Sequence, residues 1–255
     1  MCGIAAIFLY PQPRPPQLWQ EIKSSLTENL RFNEERGAAA TGLALLQADG
    51  QITLHKQAIP ARQFIDTPEY AALLNQLGPD SALLLGHTRR PTKGAPLNPQ
   101  NNHPLHVGPL LGVHNGHIHN DDQLFARLNL PRQAQVDSEI IFRLMAPFSP
   151  GPLNGRYLSE IRPQMQQMKG QFTFLAADQR APHKLLVVRH QNPLSIYYHP
   201  HWNALVFSSS YIFLRKSFGR AILSQTVPQN QLLLFETATL PTLKHHPAHH
   251  FPLFD

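Results

Sequence analysis

Residues 1–10 read Met1-Cys2-Gly3-Ile4-Ala5-Ala6-Ile7-Phe8-Leu9-Tyr10, and the Pro-rich run Pro11–Pro16 stops them. An apolar run of this length, closed by a turn signal, predicts a buried strand over Cys2–Leu9. Leu18, Ile22, Leu26 and Leu30 then recur every four residues, which predicts an amphipathic helix over Gln17–Phe32. Thr41–Leu46 and Gln51–Gln57 read as two strands around Ala48-Asp49-Gly50, and the Asp-Gly step makes them a hairpin. Asp66 or Thr67 caps a further helix that opens at Pro68 and stops at Gly78.

Further along, Ala82–Thr88 is a short apolar strand that runs into an irregular Pro/Asn-rich loop, Pro91–Pro104. Val107–His114 reads as the next strand, with helices over Asp121–Leu128, Asp137–Met145 and Tyr157–Met168. Strand signals cluster at Phe172–Ala177, Leu185–Arg189, Ile196–Tyr198 and Leu205–Phe207. From Thr237 onward the chain is rich in Pro and His without periodicity, so 237–255 is expected to form a tail on one domain spanning 1–255. No internal repeat or linker interrupts it. The pattern is α+β, with more strands than helices.

Composition narrows the function classes. The chain has 255 residues, 42% hydrophobic and 15% charged, which suits a folded core and not a disordered tail. Its single Cys excludes a disulfide framework and any multi-Cys zinc site. The net charge of +6 is scattered, with no Lys/Arg block longer than two, which argues against nucleic acid as a partner. No apolar run reaches the ~18 residues of a membrane span. The apolar start is short and lacks a basic segment before it, unlike a secretory signal, so a cytoplasmic setting is expected.

The one Cys lies directly behind the initiator Met. Methionine is removed most readily when the next residue is small, so the mature chain is expected to begin at Cys2. A terminal Cys carries a thiol of reference pKa about 8.5 beside an α-amine of about 7.7–8.0. That amine can take the thiol proton directly or through a water, so one residue supplies nucleophile and base. An ordinary buried Cys packing in the first strand is the plain alternative.

Gly86-His87-Thr88-Arg89-Arg90-Pro91-Thr92-Lys93-Gly94 ends a strand and opens a loop. Arg89 there could clamp a carboxylate, with the Thr92 hydroxyl and the Lys93 ammonium nearby. Asn115-Gly116 offers a side-chain amide and a backbone N–H at a strand end, as an oxyanion hole requires, although such a pair is more often a simple turn. Asp137 suits a helix N-cap, and equally the ammonium of a ligand. The histidines are the main distraction, five of them between His103 and His119 and four between His245 and His250. His117 and His119 could bind zinc with a third ligand, yet no carboxylate or Cys stands at a familiar spacing, and no metal is assigned.

In chain order, Met1-Cys2-Gly3-Ile4, Arg36-Gly37 with Gly42, His87-Thr88-Arg89 with Thr92 and Gly94, Asn101-Asn102-His103-Pro104, His114-Asn115-Gly116 with Ile118 and Asn120, and Asp137-Ser138-Glu139 together form a pattern. This set resembles the class II glutamine amidotransferases, which are N-terminal-nucleophile hydrolases, and most of all the glutaminase domain of glucosamine-6-phosphate synthase. Gly170, Arg189 with Pro193-Leu194, and Phe207-Ser208-Ser209 agree more weakly. The likeness spans about Met1 to Ser210, and its specificity lies in the ordered set and in no single member.

The resemblance implies a four-layer αββα sandwich of two mainly antiparallel sheets. It makes Cys2 the nucleophile, Asn115 and Gly116 the oxyanion hole, Arg89 and Thr92 the holders of the glutamine α-carboxylate, and Asp137 the partner of its α-ammonium. Arg36 would order the N-terminal end, and no cofactor is implied. Three departures touch the pocket: Ala38-Ala39-Ala40 where the family has an acidic residue, Arg90 where it has an aromatic, and Lys93 where it has His. Lys93 could strengthen carboxylate binding. The 45 residues after Ser210 are too few for an ammonia-consuming domain, so the resemblance implies glutamine as substrate and a separate synthase subunit as partner. Two other readings stay open: a stand-alone γ-glutamyl amide hydrolase with a larger substrate, and a catalytically silent regulatory subunit.

Overall fold

The computed structural model describes residues 1–151 and 154–254. In chain order its strands and helices are β1 (Gly3–Leu9), α1 (Pro16–Asn33), β2 (Ala40–Gln47), β3 (Ile52–Gln57), α2 (Ala61–Phe64), α3 (Pro68–Leu74) and β4 (Ser81–Arg89). Then follow β5 (Leu105–Val107), β6 (Leu110–Ile118), α4 (Asp121–Arg127), α5 (Glu139–Met145), α6 (Asn154–Gln166), β7 (Gly170–Asp178), β8 (Lys184–Arg189), β9 (Ser195–His199) and β10 (Ala204–Ser208). The chain ends with α7 (Tyr211–Ser217), β11 (Gln225–Thr226), β12 (Gln231–Glu236), α8 (Leu240–Leu243) and β13 (His249–Pro252).

Two antiparallel sheets result, one in the order β11-β9-β10-β1-β4-β2-β3 and the other β13-β12-β8-β7-β6-β5. Side chains of a strand alternate between faces. In β1, Ile4, Ala6 and Phe8 pack against Val113, Leu175 and Val187 of the other sheet, while Ala5, Ile7 and Leu9 pack against Ile22, Leu26 and Leu30 of α1. The opening run is apolar without interruption because both of its faces are covered. On the far side, Phe172 and Phe174 of β7 meet Ile140 and Ile141 of α5 and Leu158 and Ile161 of α6. Helix, sheet, sheet and helix therefore stack in four layers, as the resemblance implied.

The helix expected over Gln17–Phe32 is α1, with Pro16 in its first turn, where a missing N–H costs nothing. Of the two candidate caps before Pro68 the structure selects Thr67, whose hydroxyl accepts the Tyr70 N–H at 3.2 Å. Three expectations change. The strand expected over Val107–His114 is two, β5 and β6, because Gly108 (φ 57) and Pro109 form a turn between them. β6 then runs on to Ile118, which puts Asn115-Gly116 inside a strand and not at its end. Asp137 does not cap α5: Ser138 occupies that position, and the Asp137 carboxylate is used elsewhere. The segment 237–254 contributes α8 and β13, the latter pairing with β12 at a sheet edge, where Pro252 is tolerated. Asp255 lies outside the described residues. Among the described residues no helix is long and apolar enough to cross a membrane.

Candidate active site

Cys2 sits at the mouth of the central pair β1–β4. The register Gly3↔Thr88 brings it beside Arg89 and Arg90. The Arg90 N–H donates to Cys2 Sγ at 3.3 Å, and the thiol reaches back to the Arg90 carbonyl at 3.4 Å. Arg36 donates from Nε to the Cys2 carbonyl at 2.7 Å and approaches Met1 Sδ at 3.5 Å. Its neighbour Gly37 lies flat on the Arg89–Arg90 peptide, where a Cβ would collide with the Arg89 carbonyl carbon and the Arg90 nitrogen. The Arg-Gly pair thus works as a unit: the arginine ties down Cys2 while the glycine allows the loop to approach.

Burial pushes the Cys2 thiol pKa up, and Asp137 adds to that. The Arg90 N–H, the terminal ammonium and Arg89 act the other way. The Met1 amine is pushed down, first by burial and then by the charges of Arg90 and Arg36.

Arg89 ends β4 and is buried. Its guanidinium donates to Asn102 Oδ1 at 2.8 Å and to the carbonyls of Lys93 and Gly94 at 2.6 and 2.7 Å, so the loop curls around the charge. Thr92 is exposed in that loop. Lys93 departs from expectation. Its ammonium is bound to Asp121 at 2.6 Å and Asp122 at 2.7 Å, both carboxylates also meet Arg132, and the cation is thereby neutralised. Two carboxylates at contact distance outcompete a transient ligand for that charge.

On the second sheet, Asn115 is buried and donates from Nδ2 to Ser209 Oγ at 2.8 Å, while its carbonyl accepts from Asn192 Nδ2 at 3.1 Å. Gly116 has φ 143, and a Cβ there would strike the Gln171 carbonyl of β7, so only glycine fits. The Asp137 carboxylate is buried and accepts the Ile118 N–H at 2.7 Å, with His117 Nδ1 at 3.6 Å. Cys2, Arg89 and Asp137 are electrostatically linked, since the charges of the last two both act on the thiol.

Behind this group lies a buried histidine cluster. The rings of His87 and His103 are 4.4 Å apart, those of His103 and His114 are 6.5 Å apart, and His87 Nε2 is 3.1 Å from the His114 carbonyl. Burial holds His87 down to about 3 and His103 well below its ordinary value, so both are neutral. Among the described residues no group of three or more His, Cys, Asp or Glu could hold a metal ion.

Residues 94–216 match the family model described as a glutamine amidotransferase domain. The chain carries a glutamine amidotransferase domain. One relative of that domain is the glutamine--fructose-6-phosphate aminotransferase (isomerizing) of Corynebacterium efficiens, 34% identical over 178 residues, which cover 66% of this chain and 27% of that protein. Another is the 7-cyano-7-deazaguanine synthase of Saccharolobus solfataricus, 22% identical over 251 residues, 95% of this chain and 50% of that one. The chain therefore spans about a quarter to a half of the length of these relatives. Among solved structures, the glutamine phosphoribosylpyrophosphate amidotransferase of B. subtilis superposes with a TM-score of 0.70 at 19% identity, covering 99% of this chain and 49% of that one. At that identity the likeness speaks for the fold, and it is the fold that the amidotransferase resemblance predicted.

Sequence reading quoted Asn102 and Ser209 within the ordered set without giving either a role, and passed over Asn192. Asn102 holds Arg89, while Ser209 and Asn192 hold Asn115. Ser209 directly follows an apolar strand, whereas Asn102 and Asn192 sit in polar loops, and none of these settings reveals a contact across the fold.

Proposed function

We propose that this class II amidotransferase domain hydrolyses the side-chain amide of glutamine through Cys2, after removal of Met1. What carries the reading is the Cys2 thiol on the Arg90 N–H with the charges of Arg89 and Asp137 both acting on it. The Cys2 α-amine takes the thiol proton, and Sγ attacks the amide carbon. The resulting oxyanion is held by the free Asn115 amide hydrogen and the Gly116 N–H. Strand alternation supports the second donor, because the Gly116 N–H shares its side of β6 with that of Ile118, which points to Asp137. The C–N bond breaks as the α-ammonium returns its proton to the leaving ammonia. Water then cleaves the γ-glutamyl thioester to glutamate and regenerates the thiol.

Arg89 and Thr92 receive the substrate α-carboxylate, Asp137 receives its α-ammonium, and Arg36 keeps the N-terminus in place. Lys93 is left out of this set, because Asp121 and Asp122 already hold it. Ammonia released here passes to an acceptor enzyme of the synthase class, in a reducing cytoplasmic setting that suits a free thiol.

The test is intact mass of the purified protein before and after a diazo-ketone analogue of glutamine. Loss of Met1 and one adduct on Cys2 is the expected result. A retained Met1, or a processed Cys2 that ignores the analogue, would overturn it in favour of a silent regulatory subunit or a different amide.

A further inference from the structure

We propose that Ser209 is a positioning residue that holds the oxyanion-hole amide of Asn115 in register with the strand carrying the nucleophile. The role rests on the reaction proposed above. Ser209 follows β10 directly and brackets Ile4: its N–H donates to the Ile4 carbonyl at 3.0 Å, and the Ile4 N–H donates to its Oγ at 2.7 Å. The same Oγ accepts the Asn115 amide at 2.8 Å. Ser209 and Asn115 are 0% and 1% exposed, so neither bond competes with water.

The argument follows from which sheet carries which part. Cys2 leads into β1 of the seven-stranded sheet, whereas Asn115 belongs to β6 of the six-stranded one. Between them the sheets meet mostly through apolar side chains such as Ile4 and Val113, and the polar crossing from His87 to the His114 carbonyl holds the main chain of β6 but not the Asn115 amide. The apolar contacts are numerous but carry no direction, and they do not fix one polar atom against another. An oxyanion donor acts only within about 2.7–3.1 Å of the developing charge. The Ser209 hydroxyl joins the two halves at the point where that distance is set. With Ile4 and Asn115 on its two lone pairs, it holds one amide hydrogen of Asn115 and leaves the other free for the substrate. The bond joins residues 94 apart in sequence, and the bracket to Ile4 joins residues 205 apart.

The experiment compares glutamine turnover by processed wild type, Ser209→Ala, Ser209→Cys, Asn115→Ala and each Ser209 variant combined with Asn115→Ala. Ser209→Cys keeps the shape of the side chain with a slightly larger terminal atom and replaces the hydroxyl with a weak acceptor, so it carries the test if Ser209→Ala does not fold. The expected result is a kcat at least about tenfold lower for either Ser209 variant, KM within about twofold of wild type, and each double variant no slower than Asn115→Ala alone. A merely structural role would give independent, multiplying losses or a raised KM, and either outcome would overturn the proposal. So would a kcat within about twofold of wild type in the variants that fold. If wild type does not turn over glutamine, or Asn115→Ala keeps full kcat, the reaction itself is wrong and this role falls with it.

Discussion

Arg90 serves the candidate site through a backbone N–H on the Cys2 thiol, and its charge also lowers the amine of Met1, one residue before the proposed base. A nearby cation disfavours protonation. With Met1 removed, the new Cys2 amine stands on the residue that touches Arg90, so removing that charge is expected to raise the pKa of the Cys2 amine. Arg90→Gln should therefore move the acidic limb of the kcat/KM profile for glutamine to higher pH while leaving the main-chain bond intact. A limb that stays in place would show that the base is not the α-amine. Cys2→Ala should abolish turnover and leave the thermal midpoint close to that of wild type, because the side chain is partly exposed at the end of a strand. Cys2, Arg89, Asn115 and Asp137 were named from the ordered family pattern, and in the structure the charges of Arg89 and Asp137 act on the Cys2 thiol. The bonds that hold Arg89 and Asn115 were not legible, because they come from chain segments that sequence spacing does not relate. Lys93 was misjudged for the same reason: Asp121 and Asp122 are 28 and 29 residues away, and nothing local showed that they would claim it.

At the scale of elements, strands buried on both faces were the easiest to find, and β1, β4, β7 and β8 all lie within a residue or two of their expected limits. Asn-Gly misled, since it is a strong turn signal and yet stands in mid-strand at 115–116. The ladder continues through it, Asn115↔Thr173 to Ile118↔Gly170, with a second positive-φ glycine at Gly170. β12 and α7 escaped notice because short apolar runs do not distinguish helix from strand. The four-residue repeat of α1, by contrast, makes a quantitative claim. Leu26 is fully buried between α1 and the sheet, so Leu26→Ala should cost about 2–5 kcal/mol in denaturant unfolding. A loss under about 1 kcal/mol would mean that this helix face does not carry the packing assigned to it.

For the molecule as a whole, acid sensitivity follows from the buried histidines. His87 stays neutral when folded, held down to about 3 foremost by its burial, and His103 is held down in the same way. In the unfolded chain each titrates near 6.5. Below that pH the unfolded state takes up protons that the folded state refuses, so stability is full above about 6.5 and declines as the pH falls toward 3. Thermal midpoints should fall steadily from pH 7 to pH 5, and His87→Asn should make the decline shallower. A midpoint that does not change across that range would remove the neutral cluster from the account.

The position of β1 has a consequence for how the chain comes into being. It precedes every other strand of this domain in chain order, yet it ends up in the interior of its sheet, between β4 and β10. One flank closes early, against residues 83–88, and the other only when residues 204–208 have been made. Contacts so distant in sequence form slowly, because a long loop must be closed before any of them stabilises the fold. The residue assigned to the chemistry is thus delivered well before the second flank of its strand can close. Until residues 204–208 have been synthesised, a nascent polypeptide holds Cys2 on a strand with one flank still open.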